Sequence, residues 1–250
     1  MTYIVVTNDD GVDAPGISML VQAMKVFGDV RVIAPGINQS ASGHKKTLFT
    51  DIPFKQTALA DGTPAMAVYG SPADCIAVAA LGAMQWPPDL VVSGINRGAN
   101  MGQDITYSGT VTAALEASIH GIPAVAFSLN NHDASDPADY AEAARVAQEI
   151  VKNVLGRVLP PFTILNVNIP PVEKVKGIRI TRQGLREYLD QLETHEAAYR
   201  IVGDPPAGRL DEEGTDLWAV ANGYVSITPI HLDMTAHHFI ADVANWDLSV

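Results

Sequence analysis

The sequence predicts an α/β fold, in which helices cover both faces of a mostly parallel sheet and a C-terminal β-hairpin extension follows. The first observation is that short apolar runs alternate with segments of helical periodicity up to about Pro171. The second is that short strand-like segments separated by turns follow that point. The third is an ordinary globular composition, with 47% hydrophobic and 18% charged residues. We therefore expect one domain over residues 1–250, with a core of about 1–171 and an oligomerisation extension of about 172–250.

The first three elements are predicted to form a β-α-β unit. Residues Tyr3 to Thr7 are apolar without alternation, which is typical of a strand buried on both faces. Pro15 favours a helix start, and apolar residues then recur at helical spacing until Gly28. Residues 29–34 are predicted to form a second strand, which should run parallel to the first with a right-handed crossover.

The same alternation continues along the chain. Ser71 followed by Pro72 indicates a helix start, and this helix should reach about Met84. The next predicted elements are a strand at 89–93, a helix at 108–120, a strand at 123–129, a helix at 136–155 and a strand at 162–167. Beyond them, strand-like segments lie at 177–181, 199–202 and 224–228, with turn-rich spacers such as 203–206. Their alternating or mixed faces favour β hairpins over further β-α-β units.

Charge and cysteine content restrict the partners and the compartment. The net charge of −12 argues against a nucleic acid polymer as partner, because such polymers bind broad basic surfaces. Cys75 is the single cysteine, so no intrachain disulfide can form and a reducing compartment is expected. The N-terminus has no secretory signal pattern, and no apolar run approaches the roughly 20 residues that span a bilayer. We therefore expect a cytoplasmic protein without a membrane partner.

Polar residues collect where three of the predicted strands end. Asn8, Asp9 and Asp10 directly follow the first strand, and residues 38–44 and 94–98 follow two later ones. The carboxyl ends of parallel strands meet at one edge of a sheet, where ligands bind. Carboxylate, amide and hydroxyl oxygens suit a hard cation such as Mg²⁺ or Mn²⁺ and disfavour zinc. A divalent cation at this edge would offset the repulsion between Asp9 and Asp10.

The segment from Tyr107 to Thr110 stands at the start of a predicted helix and favours phosphate binding. Free backbone N–H groups point outward there, the hydroxyl of Ser108 adds a donor, and Gly109 allows a close approach. A phosphoryl group between this helix start and the cation would be placed for metal-assisted ester hydrolysis by water. Each motif also fits a structural role, since Asp10-Gly11 is a common turn and serine is a common N-cap. Their convergence on one sheet edge favours the functional interpretation.

Six segments resemble the stationary-phase survival protein family, SurE, whose members are metal-dependent nucleoside monophosphate phosphatases. They are VTNDDG (6–11), SASGH (40–44), GSPADC (70–75), VSGINRGANMG (92–102), YSGTV (107–111) and GYVSITPIH (223–231). Together they cover nearly the whole chain and are highly specific, whereas NDDG by itself is not. Two departures are that Ser42 replaces a threonine and that Ala99 stands where proline is frequent. Neither removes a proposed ligand.

The resemblance implies a Rossmann-like α/β fold whose C-terminal hairpin extension assembles a homodimer or homotetramer. It implies one divalent cation per subunit, Mg²⁺ or Mn²⁺, with the ligands Asp9, Asp10, Ser40 and Asn96. It also places Asn8, Ser108, Gly109 and Thr110 around the substrate phosphate. Family members accept nucleoside 5′- and 3′-monophosphates and sometimes short polyphosphate, so the expected substrate is a nucleoside monophosphate.

The catalytic hypothesis is hydrolysis by water, with Asp9, Asp10 and Asn96 as the catalytic residues that hold the cation against a phosphate oxygen. Donors in the segment 108–110 would stabilise the charge that grows on the equatorial phosphate oxygens. A spare carboxylate oxygen of Asp9 or Asp10 would take the proton of the water, and the choice between them stays open. His44 is a weak candidate for the proton donor to the leaving group.

Three other functions are alternatives for a chain with these features. A dinucleotide-dependent oxidoreductase shares the fold class, but the first turn lacks the G-x-G-x-x-G pattern. A calcium-dependent nucleoside hydrolase also opens with an aspartate cluster, but its D-x-D-x-G-x-D-D pattern, aligned on Gly11, puts Thr7 and Ala14 where acids are required. A non-catalytic nucleotide-binding regulatory module remains the alternative, and binding without phosphate release would distinguish it.

Overall fold

A computed structural model describes residues 2–203 and 207–248. The strands in these ranges are Thr2–Thr7 (β1), Gly28–Pro35 (β2), Phe54–Ala58 (β3), Pro64–Val68 (β4), Leu90–Arg97 (β5), Ala124–Leu129 (β6), Thr163–Ile169 (β7), Ile178–Ile180 (β8), Arg186–Glu187 (β9), Gln191–His195 (β10), Ala198–Val202 (β11), Ala207–Gly208 (β12) and Val225–His231 (β13). The α-helices are Pro15–Met24 (α1), Pro72–Val78 (α2), Gly109–Ile119 (α3), Ala141–Val154 (α4), Asp216–Ala221 (α5) and Ile240–Ala244 (α6). None of the helices in these ranges combines the length and the apolar character that a membrane crossing requires.

Nine strands form the main sheet, in the order β3-β4-β2-β1-β5-β6-β7-β13-β8. The six strands from β4 to β7 in this order are parallel, whereas β3 and β13 run antiparallel to β4 and β7. Helices α1 and α4 pack on one face of the sheet, and α2 and α3 pack on the other. The predicted α/β class, with helices on both faces of a mostly parallel sheet, is therefore confirmed.

Three helix starts that the sequence predicts have the expected cap. The hydroxyl of Ser71 accepts a hydrogen bond from the backbone N–H of Asp74, whose carboxylate accepts from the N–H of Ser71 in return. Ser108 accepts from the N–H of Val111 at the start of α3. Asp136 caps a 3₁₀ turn, Pro137–Tyr140, that leads into α4. These caps satisfy backbone donors that the first helical turn leaves unpaired.

Two differences from the prediction lie near the N-terminal half of the sheet. The sequence analysis does not predict β3 or β4. Strand β3 is an exposed edge strand with polar residues such as Lys55 and Gln56, which give no clear strand signal. Strand β5 also extends beyond the predicted end at Ser93 to Arg97, through a register shift between Ser93 and Asn96. This extension places Asn96 on the strand itself rather than in a free loop.

In the described part of the C-terminal region, the strands β9 to β12 form two nested antiparallel pairs, β9 with β12 and β10 with β11. Strands β10 and β11 pair in antiparallel orientation and form the predicted hairpin. The hairpin prediction is wrong for β8 and β13, which join the main sheet parallel to each other with α5 between them in the chain. Residues 204–206 of the predicted spacer lie outside the described ranges.

Polar and apolar residues alternate along β13, and this pattern led to the incorrect prediction of a hairpin strand. Its polar residues Ser226 and Thr228 are buried, and both hydroxyls lie 2.7 Å from the hydroxyl of Thr181. An alternating pattern is typical of a half-exposed strand, but here hydrogen-bonded hydroxyls occupy the interior. Since β13 pairs with β7, the sheet continues past the predicted core boundary near residue 171.

Candidate active site

A cavity of about 700 Å³ opens at the carboxyl ends of the parallel strands. Five of the residues singled out in the sequence line it, namely Asp9, Asp10, Ser40, Asn96 and Ser108. They come from the ends of β1 and β5, the loop after β2 and the residue before α3. The structure thus brings together residues that are up to 99 positions apart, as the carboxyl-end rule for parallel sheets predicts.

The turn after β1 presents the two aspartates. The Asn8 side chain accepts a hydrogen bond from the N–H of Gly11 (3.2 Å) and donates one to its carbonyl (2.9 Å). Gly11 has a φ of +106°, a backbone conformation that residues with a side chain rarely adopt. Asn8 is fully buried and is not among the cavity-lining residues, so its observed contacts shape the turn that carries Asp9 and Asp10.

Asp9 is 3% exposed and packs against the first turn of α3. The Thr110 hydroxyl donates a short hydrogen bond to one carboxylate oxygen of Asp9. A Cβ atom at Gly109 would lie 2.7 Å from the Cβ of Asp9, so only glycine allows this approach. Burial raises the pKa of Asp9 to about 6, and the charge of Asp10 adds to the rise while the Thr110 bond opposes it.

Asp10 lies beside Asp9 and is partly exposed. One of its carboxylate oxygens accepts a hydrogen bond from the backbone N–H of Arg97 at 3.0 Å. Burial raises the pKa of Asp10, and this hydrogen bond and the charge of Arg97 oppose the rise. Within residues 2–203 and 207–248, neither Asp9 nor Asp10 forms an ion pair with a basic side chain.

Two uncharged oxygens complete the predicted ligand set. The Asn96 side-chain NH₂ donates to the carbonyl of Gly98 at 2.9 Å, and its Oδ1 accepts no hydrogen bond from the described part of the chain. Ser40 is exposed at the cavity, where its backbone N–H donates to the Oδ1 of Asn38 at 2.8 Å. The oxygen ligands available to a cation are therefore two carboxylates, an amide oxygen and a hydroxyl.

This donor set fits a hard divalent cation. Two adjacent carboxylates, one of them almost fully buried, lie together without an ion pair to a basic side chain in the described part of the chain, and a cation would compensate their charge. Oxygen ligands suit Mg²⁺ or Mn²⁺. No group of three or more histidine, cysteine or acidic residues with metal-binding geometry occurs in the ranges that the structure describes.

The first turn of α3 lies next to the aspartates. Ser108 lines the cavity, whereas Gly109 and Thr110 are turned towards Asp9 and are not among the lining residues. The predicted phosphate segment is thus divided between one residue at the cavity wall and two that support Asp9.

Comparison with known proteins identifies the family of this chain. The family model described as survival protein SurE matches residues 4–190. The chain belongs to the SurE family. It is 47% identical to "5'-nucleotidase SurE 1" of Thermus thermophilus over 95% of this chain and 94% of the relative. It is 42% identical to "5'-nucleotidase SurE" of Chloroflexus aggregans over 98% and 99% of the two chains. The crystal structure of the SurE protein from Aquifex aeolicus matches with a TM-score of 0.83 and 40% identity, over 96% of this chain and 98% of that one.

In this SurE family member, His44 is held outside the cavity. Its Nε2 lies 3.0 Å from a carboxylate oxygen of the buried Glu116 on α3, and Lys46 and His120 also contact Glu116, at 2.9 and 3.3 Å. Burial opposes ionisation of Glu116, but the hydrogen bonds from His44 and Lys46 outweigh it and lower the pKa to about 2. The proton-donor assignment for His44 is therefore without structural support. His132 is the one histidine in the described ranges that lines the cavity.

Sequence reasoning missed the far wall of the cavity. Arg186 pairs there with Asp104 at 2.8 Å, and the hydroxyl of Tyr188 donates to the same carboxylate at 2.6 Å. The buried Asp216 accepts from the N–H groups of Gly102 and Gly184 at 2.9 and 2.7 Å. Apolar residues of this wall are Met101, Leu210, Leu217 and Val220. These contacts join the segment after β5 to the C-terminal region, and no local sequence signal indicates them.

Proposed function

We propose that this SurE family member is a 5′-nucleotidase, a phosphoric monoester hydrolase that converts nucleoside monophosphates to nucleosides and phosphate with a divalent cation and water. The observation that carries the proposal is the adjacent pair of Asp9 and Asp10, which form no ion pair with a basic side chain in the described ranges, at a cavity that also meets the start of α3. The names of the relatives, which are 42–47% identical over nearly the whole chain, support the reaction.

Asp9, Asp10, Ser40 and Asn96 would hold one Mg²⁺ or Mn²⁺ per subunit. When bound, the cation supplies positive charge against the charge that develops on the phosphoryl group. A hydrogen bond from the Thr110 hydroxyl orients the carboxylate of the buried Asp9, and a hydrogen bond from the backbone N–H of Arg97 orients the carboxylate of Asp10.

The remaining site residues act on the phosphate and on the water. Ser108, which lines the cavity, and the N-terminal end of α3 bind the phosphate, since the helix dipole favours an anion there. Gly109 and Thr110 act through Asp9, and Asn8 acts through the turn. A carboxylate oxygen of Asp9 or Asp10 accepts the proton of the attacking water.

The cavity has room for more than a phosphate group. Its volume of about 700 Å³ falls within the range of small-molecule sites. The apolar far wall, with Leu217 and Val220, and the polar pair of Asp104 and Arg186 offer both surfaces that a nucleoside requires. We propose nucleoside 5′-monophosphates, and 3′-monophosphates as a second substrate class, as the compounds that occupy it.

We also propose a homodimer or homotetramer assembled through the C-terminal extension of about 172–250, appended to the single-domain core of about 1–171. The β10–β11 hairpin supports this proposal, since Leu192 and Ile201 are paired across it and are 62% and 75% exposed, with Tyr199 exposed on the same face. A nucleic acid polymer is not expected as a partner, because the net charge is −12. A cytoplasmic location is proposed on the single, buried Cys75.

The decisive experiment is a panel of nucleoside monophosphates assayed for phosphate release with Mn²⁺ or Mg²⁺, with and without a chelator. We expect release of phosphate and nucleoside that requires the cation. Release of free base and sugar phosphate would contradict the proposal. Saturable nucleotide binding with no phosphate release under either cation would favour the regulatory binding module instead.

A further inference from the structure

The loop that follows Asn96 is buried, although it has no regular secondary structure. Asn100 lies four residues after Asn96 and is only 7% exposed. A loop residue has no partner strand for its backbone N–H and carbonyl, and leaving these groups unpaired away from water costs stability. Asn100 must therefore obtain its hydrogen bonds from other parts of the molecule.

Side chains from the ends of β6 and β7 supply all the observed partners of Asn100. The Asn168 carboxamide accepts from the N–H of Asn100 at 2.8 Å and donates to its carbonyl at 2.9 Å. Asn166 donates to the same carbonyl at 2.8 Å. The side-chain NH₂ of Asn100 donates to the hydroxyl of Ser128 at 2.8 Å. The three supporting residues are fully buried, and Ser128 and Asn168 are register partners in the sheet. We call this set the asparagine clamp.

The chemistry of the clamp requires the residues that form it. A single carboxamide carries one acceptor and two donors, so Asn168 can pair with both backbone groups of one residue. Aspartate at position 168 cannot donate to the carbonyl, and leucine would leave the N–H of Asn100 unpaired and its carbonyl with only the bond from Asn166. Buried polar networks of this kind hold their members in one arrangement when every bond is made.

The same loop is held at a second point closer to Asn96. The N–H of Gly98 donates to the carbonyl of Leu129 on β6 at 2.8 Å, and the carbonyl of Gly98 accepts from the Asn96 side chain. Asn96 lines the cavity, and because its NH₂ is bonded to Gly98, its Oδ1 is the side-chain atom that can bind a cation. Asn96 itself lies at the end of β5, opposite Ser128, and the two anchor points fix the segment that directly follows it.

We propose that Asn168, Asn166 and Ser128 are positioning residues for the cation site, because they hold Asn100 so that Asn96 presents its Oδ1 towards the two aspartates before the ion binds. The inference rests on the ligand set given under the proposed function. The clamp residues touch neither substrate nor ion and act through the loop. Their loss weakens ion binding in the free protein as well as catalysis.

The test is the affinity for Mn²⁺ without nucleotide, measured by the electron paramagnetic resonance signal of free Mn²⁺. In Asn168→Ala, we expect the Kd for Mn²⁺ to rise about 10- to 100-fold, the range found when groups that orient metal ligands are removed. The matched control is Ser226→Ala, which removes a fully buried, hydrogen-bonded hydroxyl from the register partner of Asn168 on β13. Its Kd should equal that of the wild type.

Thermal unfolding in chelator checks that both variants are folded. If Asn168→Ala does not fold, Ser128→Ala, which loses a single hydrogen bond to the loop, takes its place with an expected rise in Kd of about threefold. An unchanged Kd in the folded clamp variant, or an equal rise in Ser226→Ala, would overturn the inference and leave the proposed function standing. A wild-type protein that does not bind Mn²⁺ would refute the ligand set and the inference together.

Discussion

Two buried carboxylates lie at helix α3: Asp9 contacts its first turn, and Glu116 is part of the helix. They differ in how their charge is compensated. Asp9 packs against the first turn of the helix, has no basic partner in the described ranges, and has a pKa raised to about 6. Glu116 lies further along the same helix, is surrounded by Lys46 and two histidines, and has a pKa lowered to about 2. Both are almost fully buried, so burial alone does not separate them.

The difference indicates which carboxylate is structural and which is functional. A buried charge costs stability unless it is paired, and Glu116 has its partners within the protein. Asp9 has no basic partner in the described ranges, and a bound cation would stabilise its charge. Uncompensated charge in a cavity is a mark of a binding or catalytic site.

The largest effect is expected on removing the uncompensated carboxylate. Asp9→Asn keeps the shape of the side chain but removes a charged ligand, so phosphate release should fall at least about 1000-fold, a loss of about 4 kcal/mol of transition-state stabilisation. The measurement is phosphate release from a nucleoside monophosphate in Mn²⁺. Asp13→Asn, at an exposed aspartate of the same loop, should retain the wild-type rate. Near-normal turnover in Asp9→Asn would make the two carboxylates functionally alike.

The increase in the free energy of unfolding on cation binding should depend on Asp9 and not on Glu116. At a free Mn²⁺ concentration of about 100 times the Kd, the wild type should gain about 2.7 kcal/mol in its free energy of unfolding. Glu116→Gln should gain the same amount, and Asp9→Asn should gain almost nothing. Thermal unfolding with Mn²⁺ or with chelator measures this. Equal stabilisation of Asp9→Asn would show that the ion binds elsewhere.

Removing the compensated carboxylate should cost stability rather than activity. Glu116→Gln weakens charge-assisted hydrogen bonds to Lys46 and His44, and we expect the free energy of unfolding to fall by about 1–2 kcal/mol, a value reduced for the partial exposure of the partners. Denaturant unfolding gives this quantity, with the exposed Glu149→Gln as a control that should change little. Phosphate release per folded molecule should stay near the wild-type value, and a large loss there would assign Glu116 to the catalytic machinery.

The smallest effect is a pH dependence at Glu116. Because the folded pKa lies below the ordinary value of 4.5, the stabilising contribution of Glu116 is present above that value and is lost as the pH falls towards about 2. The stability difference between the wild type and Glu116→Gln should therefore narrow between pH 4.5 and pH 3. A difference that is constant over this range, in unfolding measured at each pH, would contradict the lowered pKa.

Much of the site could be predicted because its signals are local. The apolar run before Asn8, the aspartate pair and the serine before α3 each lie within a few residues of a strand end or helix start. The rule that parallel strands end at one edge then brings them together. The same reasoning failed for β13, where Ser226 and Thr228 alternate with apolar residues as in a half-exposed strand but are buried against Thr181. A periodicity describes which residues share a face, not what covers that face.

The sequence by itself determined the alternation of strands and helices, the helix caps, and the acidic pair with its predicted cation, because backbone geometry and short-range hydrogen bonding depend on neighbouring residues. Only the tertiary structure decided that, among the described residues, Glu116 has basic partners while Asp9 has none, that Asn168 holds the loop after β5, and that Arg186 lines the opposite wall of the cavity. These contacts join residues that are 68 to 82 positions apart, such as Asn100 with Asn168 and His44 with Glu116. Partners at such separations are chosen by the packing of the whole sheet, and no window of the sequence contains both members of a pair.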